Sequence, residues 1–433
     1  MTLTFSSTHA RVPKEELAAL AQQLAPEIAR MRAATQKGYE DERASINLPF
    51  DTAMHDRIRE LADQCEGTEL VIVVGIGGSN LGTIAVQEAV LGKLHNQLAS
   101  PRILYADTVD TRSMTHILTI MKRTLETQRR VIIIGISKSG GTTETIANFE
   151  VLVEQHRANG GRASDVFVIT GEGSAFWHRA HEEGFCTLPI PAQVGGRYSV
   201  LSAVGLFPLA LLGIDTAQLL EGARAMRDAC LQDPPENPAA LSAMLLAYHA
   251  AHGRNIADTF LFATDFESIG KWYRQLMGES IGKEHNREGE QVWNGMTPTV
   301  SIGSTDLHSM AQLYLGGPQD KFTTFITVQD EAVVRVPKWE RYDALVPHIQ
   351  GRPLSELMDA IVRGVQTAFE KFERPFCTIS LPDRSAWNIG NLLQFKMMEM
   401  MYLGFLMHVN PFDQPAVERY KVETKRLLEE KQG

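Results

Sequence analysis

The sequence predicts an α/β protein built on two mostly parallel sheets, each flanked by helices. Two observations carry that reading. Short apolar runs at 70–74, 102–106, 131–136 and 166–170 alternate with stretches of helical spacing. That alternation is the pattern of strands buried on both faces of a parallel sheet. The same coarse layout returns in the second half, with strand candidates at 260–264, 299–302, 325–328 and 376–381, although no strict sequence repeat accompanies it. A chain of 433 residues has room for two such units with substantial cores. The expected division is a helical arm (1–50), a first α/β domain (51–212), a helical linker (213–252), a second α/β domain (253–409) and a helical tail (410–433).

In the arm, Pro13 with Lys14, Glu15 and Glu16 opens a helix that continues through Leu17, Leu20, Leu24 and Ile28. The strand at 70–74 runs into Gly75-Ile76-Gly77-Gly78-Ser79-Asn80-Leu81-Gly82. These glycines resemble a dinucleotide fingerprint only loosely; a tight turn with close helix–strand packing explains them equally, with Ser79 as an N-cap.

The next loop carries more chemistry. After the β-branched run at 131–134, Ser137, Ser139, Thr142, Thr143 and Thr145 crowd around Lys138, Gly140 and Gly141, and helical spacing begins at Ile146. A strand, a small polar loop and a helix start are the parts of an anion site: backbone N–H groups, hydroxyls, the helix dipole and one full positive charge. An ordinary capped loop accounts for one or two of these residues, not for the whole set. No Gly-x-x-x-x-Gly-Lys-Ser/Thr run is present, so the ligand expected is a small phosphorylated metabolite and not a nucleotide. Both glycine-rich loops leave the carboxyl ends of strands and can converge on one crevice. Gly195-Gly196-Arg197-Tyr198-Ser199 then precedes an apolar helical run at 201–212, and places an arginine either near that crevice or on an exposed turn.

Helical spacing through 219–251 leads to the second half. There Gln275, Glu279 and Lys283 lie four apart, on one face if helical. A surface Glu279–Lys283 pair is one reading. Gly278 and Gly282 suggest instead a bend that presents Glu279 as a general base. Gly303-Ser304-Thr305-Asp306-Leu307-His308 follows a strand and opens a helix, with Asp306 as an N-cap candidate and His308 as either a site group or a partner for a local carboxylate.

The net charge of -10 argues against a general nucleic-acid binder. Cys65, Cys186, Cys230 and Cys377 form no Cys-x-x-Cys pair, which fits a reducing compartment. No signal pattern opens the chain, and the apolar stretch 386–408 carries Asn388, Asn391, Gln394, Lys396 and Glu399, so it reads as a buried or interface helix and not a membrane span. A cytoplasmic protein is expected. No His/Asp/Glu cluster has metal-ligand spacing.

Four stretches together resemble the glucose-6-phosphate isomerase family over nearly the whole chain: Gly77-Gly78-Ser79-Asn80-Leu81-Gly82, Gly195-Gly196-Arg197-Tyr198-Ser199, Glu279-Ser280-x-Gly282-Lys283 and Phe412-Asp413-Gln414-x-x-Val417-Glu418-x-x-Lys421. The second and fourth are specific to that family. The first, and the Ser137-Lys138-Ser139 loop, belong to the wider class of sugar isomerase (SIS) domains. The resemblance implies two SIS-type domains, reversible aldose–ketose isomerisation without a cofactor, and a homodimer. It implies that Ser137, Lys138, Thr142 and Thr145 hold the phosphate, with Ser79 beside them. Arg197 matches the arginine near the reacting carbons and Glu279 the base that moves a proton between C1 and C2. His308 matches the ring-opening histidine, supplied to the site of the neighbouring subunit. Gln414 matches a substrate-contacting glutamine and Lys421 the lysine near the ring oxygen.

The chain departs from many relatives at Gly140-Gly141 in the phosphate loop and at Pro415-Ala416 in the turn before Lys421. Its length resembles the compact bacterial forms. Two other readings remain open on the sequence: an isomerase that also accepts mannose 6-phosphate, and a non-catalytic sugar-phosphate sensor, against which Glu279, His308 and Lys421 weigh together.

Overall fold

The computed structural model describes residues 3–329, 334–339 and 342–430. Its strands, in chain order, are β1 (Thr4–Ser6), β2 (Thr68–Val74), β3 (Arg102–Ala106), β4 (Arg130–Ser137), β5 (Val166–Thr170), β6 (Cys186–Pro189), β7 (Ile256–Leu261), β8 (Lys283–His285), β9 (Gln291–Asn294), β10 (Thr297–Ile302), β11 (Lys321–Val328) and β12 (Phe376–Leu381). The first sheet is wholly parallel in the order β3-β2-β4-β5-β6. The second has the order β10-β7-β11-β12-β1, parallel except for β1, which pairs antiparallel with β12.

The first sheet is buried on both faces because its central strands carry runs of consecutive apolar residues. Val71, Val73, Ile132, Ile134 and Ile136 enter one core cluster; Leu70, Ile72, Val74, Val131 and Ile133 enter another on the opposite face. The first of these clusters continues across the molecule to Leu261, Phe322, Ile326 and Ile379 of the second sheet. Both sheets therefore share one core.

At the centre of that core lies the helix Ala386–Leu406, buried along almost its whole length. It packs closely on the helix Thr216–Ala229. A Cβ at Gly222 would sit 1.9 Å from the Trp387 carbonyl oxygen, and one at Gly390 1.9 Å from that of Leu219. Glycine is what lets the two backbones meet. The polar residues of the central helix are partly explained by pairing: Lys396 Nζ lies 2.9 Å from Glu399 Oε1, and Glu399 also accepts from Ser242 Oγ at 2.5 Å and Tyr273 Oη at 2.6 Å.

Four expectations change. The arm at 1–50 is not only helical, since β1 completes the second sheet; three residues are too short a run to stand out in the sequence. The stretch 213–252 holds two helices, Thr216–Ala229 and Pro238–Ala251, that build the core around the central helix. The apolar run at 397–406, a candidate interface, is covered by the chain's own helices. Helix Glu267–Ile281 runs without a bend through Gly278 and ends at Gly282, so Glu279 stands in its last turn. Among the described residues, no helix is long and apolar enough to cross a membrane.

The buried pair yields a stability prediction. Removing one partner strands a desolvated charge, so Lys396→Met should cost about 3–5 kcal/mol in urea unfolding. Adding Glu399→Gln to Lys396→Met should recover part of that loss, because the amide carries no charge to leave unpaired.

Candidate active site

In a sheet of this order the strand sequence reverses at β2, which has β3 on one side and β4 on the other. The crevice between the loops leaving β2 and β4 is the topological switch point, where such folds bind ligands. The two loops do meet: a Cβ on Gly75 would lie 3.1 Å from the Ile136 carbonyl oxygen.

The loop after β4 is tied back by its carbonyls. Ser137 O accepts from Gly140 N and from Thr170 Oγ1, and Lys138 O accepts from Gly171 N. Thr142 occupies the N-cap position of the helix Thr143–Ala158, but its hydroxyl lies 3.0 Å from Ser137 Oγ and caps no amide. The first-turn N–H groups of a 16-residue helix therefore lack their usual side-chain acceptor. Thr145 Oγ1 is buried beside them with no hydrogen-bond partner. Lys138 is half-buried, and its pKa is lowered by that burial and, secondarily, by the charge of Arg197. A net-acidic chain has thus gathered two cations, several hydroxyls, that of Thr145 unpartnered, and a helix N-terminus in one place. That combination selects an anion.

The second loop and the base come together around Arg197, which is 2% exposed and not on an exposed turn. Its turn, Gly196–Tyr198, fits against the loop after β2: a Cβ on Gly78 would lie 2.2 Å from the Gly196 carbonyl carbon. All three guanidinium nitrogens donate. Nε bonds Ser280 Oγ at 2.9 Å; Nη1 bonds Gln414 Oε1 at 2.8 Å and Glu279 Oε2 at 3.2 Å; Nη2 bonds the carbonyls of Pro411 at 2.5 Å and Asp413 at 3.0 Å. Gln275 Nε2 donates to the other oxygen of Glu279 at 2.9 Å. The Glu279 carboxylate is held by both oxygens. Lys283 does not pair with it; the lysine ammonium bonds the Glu279 main-chain carbonyl instead.

Ser79 ends the short turn Gly77–Ser79 between these loops, half-buried; Asn80, not Ser79, stands at the N-cap of the helix Leu81–Leu91. Lys421 lies on the C-terminal helix Pro415–Glu430, paired with Glu418 at 2.7 Å. It faces Gly141, Thr142 and Thr143 across a cleft of about 310 Å³. No hydrogen bond or ion pair among the described residues ties His308 to the Arg197–Glu279 cluster. The histidine is exposed on the short helix Thr305–Ser309, without a hydrogen bond or ion pair among the described residues. Asp306 does not cap that helix but accepts from Ile302 N at 2.7 Å.

Further contributors join the site residues that the sequence points to. Gln275 was visible only through its spacing to Glu279. Ser280 and Tyr198 lie inside the quoted motifs; they bond each other at 2.9 Å and back the arginine. The main-chain carbonyls of residues 411 and 413 leave no side-chain signal at all. Among the described residues, no group of three or more His, Cys, Asp or Glu is placed to hold a metal ion.

Fold and site together define an α/β protein with an anion crevice at a switch point and a carboxylate–guanidinium pair beside it. The Phosphoglucose isomerase family model matches residues 61–433. The chain is 36% identical over 368 residues to a glucose-6-phosphate isomerase of Carboxydothermus hydrogenoformans, covering 82% of this chain and 78% of that one. It is 33% identical over 405 residues to a glucose-6-phosphate isomerase of Rubrobacter xylanophilus, covering 90% of each. Among solved structures, a hypothetical protein of Thermus thermophilus matches with a TM-score of 0.89 and 29% identity, over 99% of this chain and 100% of that one. A glucose-6-phosphate isomerase of Chlamydia trachomatis shares the fold with a TM-score of 0.84 and 21% identity, over 98% of this chain and 88% of that one. The chain belongs to the phosphoglucose isomerase family.

The close approach of the two loops yields a paired prediction. Gly78→Ala must push the Gly196–Tyr198 turn away and should destabilise the fold by about 1–3 kcal/mol. Gly141→Ala meets nothing within 4 Å and should leave the melting temperature nearly unchanged. Calorimetric melting of the two variants checks the contrast.

Proposed function

We propose that this chain interconverts glucose 6-phosphate and fructose 6-phosphate, with Glu279 as the base that moves the proton. The observation that carries the reading is the Glu279 carboxylate, held between Arg197 and Gln275 beside the open N-terminus of the helix Thr143–Ala158. Its family membership and the names of its relatives point the same way.

The phosphate sits against Ser137, Lys138, Thr142, Thr145 and the helix amides, with Ser79 alongside. Binding energy from this remote group orients the reacting carbons. The ring must open before any carbon-bound proton becomes acidic. His308 and Lys421 handle protons at the anomeric hydroxyl and ring oxygen, and Gln414 contacts the sugar. Glu279 then takes the C2 proton and returns it to C1. The cis-enediolate between these steps carries its charge on oxygen, and Arg197, a permanent cation in a dry site, opposes it. The reaction conserves oxidation state overall, so it needs no external oxidant or reductant. This is a step of glycolysis and gluconeogenesis. The unpaired thiols of Cys65, Cys186, Cys230 and Cys377 fit the reducing cytoplasm where those pathways run.

The active unit in this reading is a homodimer. His308 is exposed and makes no hydrogen bond to the Glu279 cluster among the described residues of its own chain. Supplied across a two-fold axis, it completes the site of a second copy.

Turnover of fructose 6-phosphate tests the function, and Glu279→Gln tests the base. That variant keeps the side chain's size and removes its basic oxygen, so sugar-phosphate affinity should persist. Turnover should fall about a hundred- to ten-thousandfold. Exchange of the C2 proton of glucose 6-phosphate with solvent deuterium should stop while ring opening continues. Exchange at the wild-type rate would place the base elsewhere.

The dimer has its own test. His308→Ala and Glu279→Gln chains, each nearly inactive, should regain part of the wild-type activity once mixed and allowed to exchange subunits. A monomer with full activity would refute the shared site.

A further inference from the structure

The Glu279-Ser280-x-Gly282-Lys283 stretch ends in a lysine to which the reaction gives no task. We propose that Lys283 is a positioning residue: it locks the C-terminal strap, residues 411–414, onto the end of the Glu279 helix, and so holds the groups that fix Arg197. The inference rests on the isomerase reading above and adds to it a residue that never touches the sugar.

The geometry is specific. The helix Glu267–Ile281 ends at Gly282, whose N–H is the last to bond within it, to Gly278 O. The Glu279 carbonyl is next in line and has no following helical amide. It receives the Lys283 ammonium at 2.8 Å. A cation at this place also meets the negative end of the helix dipole. The same ammonium bonds Asp413 Oδ1 at 2.9 Å and, more closely, the Asp413 carbonyl. Arg197 Nη2 donates to that carbonyl too, at 3.0 Å. One strap oxygen is thus gripped by two buried cations, one from the helix that carries the base and one from the turn beside it. The next residue, Gln414, completes the hold on Arg197.

The rest of the hairpin begun by Lys283 secures the chain just upstream of the strap. Arg287 Nε donates to Val409 O at 3.0 Å and Asn294 Nδ2 to Met407 O at 2.9 Å. Lys283 is 7% exposed, and its burial lowers its pKa against the opposing pull of Asp413. A buried ammonium that bonds three oxygens of its own chain is placed to hold structure and has no open side for a substrate.

The test compares Lys283→Met, Lys283→Arg, Asp413→Ala and the Lys283→Met/Asp413→Ala double variant with the wild-type chain, using fructose 6-phosphate. Lys283→Met should keep its circular dichroism spectrum and nearly its KM, since the phosphate loop is untouched. Its kcat should fall on the order of a hundredfold, the scale of a slight misplacement of reacting groups. Lys283→Arg should recover part of that kcat. The double variant should be no worse than Lys283→Met alone, because both changes release the same strap. Hydrogen exchange at the Phe412 and Val417 amides should quicken in Lys283→Met.

A wild-type kcat in folded Lys283→Met, a raised KM with unchanged kcat, or losses that multiply in the double variant would each overturn the inference. If Lys283→Met does not fold, Lys283→Gln is read by the same criteria. The exchange measurement needs no activity. Absent turnover by the wild-type chain would therefore defeat the isomerase reading, while unaltered strap exchange would defeat this one alone.

Discussion

The site depends on one buried guanidinium. Arg197 has almost no solvent contact, so every N–H it carries must find an oxygen inside the protein. The oxygens it finds belong to two segments far apart in sequence, the end of the Glu279 helix and the strap at 411–414, while its own turn packs against the loop after β2. The cost of burying the charge is what enforces their meeting. A planar fork with donors in fixed directions suits this task; a lysine at the same place offers a single point of attachment. Only one of its bonds goes to the Glu279 carboxylate. In the proposed reaction the others would hold the arginine still as that carboxylate turned toward a carbon, which is what preorganised stabilisation of an enediolate requires.

The anion crevice is built on different terms. It uses no buried pair. It uses what is left unsatisfied: an N-cap threonine turned aside to Ser137, a buried Thr145 hydroxyl without a partner, and a lysine whose charge burial disfavours. Each of these is a small debit in the chain taken alone. A phosphate would satisfy all of them at once, and the shared core beneath the crevice keeps their positions from relaxing. Structural stability and site chemistry are thus separated: the central helix with its Lys396–Glu399 pair supplies the first, and the switch-point loops supply the second.

How much of this could be read from the sequence follows from where the information lies. The expected limits of β3, β5 and β12 match the observed ones, because each is a mostly apolar run that breaks off at a polar or turn-forming stretch. The Ser137–Thr145 loop stood out because hydroxyls and a lysine are out of character after such a run. β1, β6 and the β8–β9 hairpin left no such mark. They are three or four residues long, and their pairing depends on partners distant in the chain. The bend expected at Gly278 fails for a related reason: helix propensity is a local preference, and packing of Trp272, Leu276 and Ile281 in the core overrides it. Arg197 could be read as a candidate, but its burial could not, since the strap that covers it lies more than two hundred residues away.

The C-terminal helix shows what such long-range dependence implies for motion. Pro415–Glu430 buries none of its residues, and Tyr420, Val422, Leu427 and Leu428 are exposed. A helix of this length is marginal in water on its own propensity. Pairs within it, Lys421–Glu418, Arg426–Glu423 and Arg426–Glu430, add a few tenths of a kcal/mol each, about what exposed pairs contribute. Its polar tertiary ties among the described residues are the ion pair of Arg419 with Glu284 and the strap at its N-terminal end. Both trace to the hairpin that Lys283 begins, one residue before Glu284. The position of Lys421 over the Ser139–Thr143 loop is therefore set at the strap and not by packing of its own helix. A segment held this way belongs to the low-stability end of the molecule, where opening is local and does not disturb the core. Anchoring it through the residue four places after Glu279 ties the C-terminal helix and the Glu279 helix into one structure.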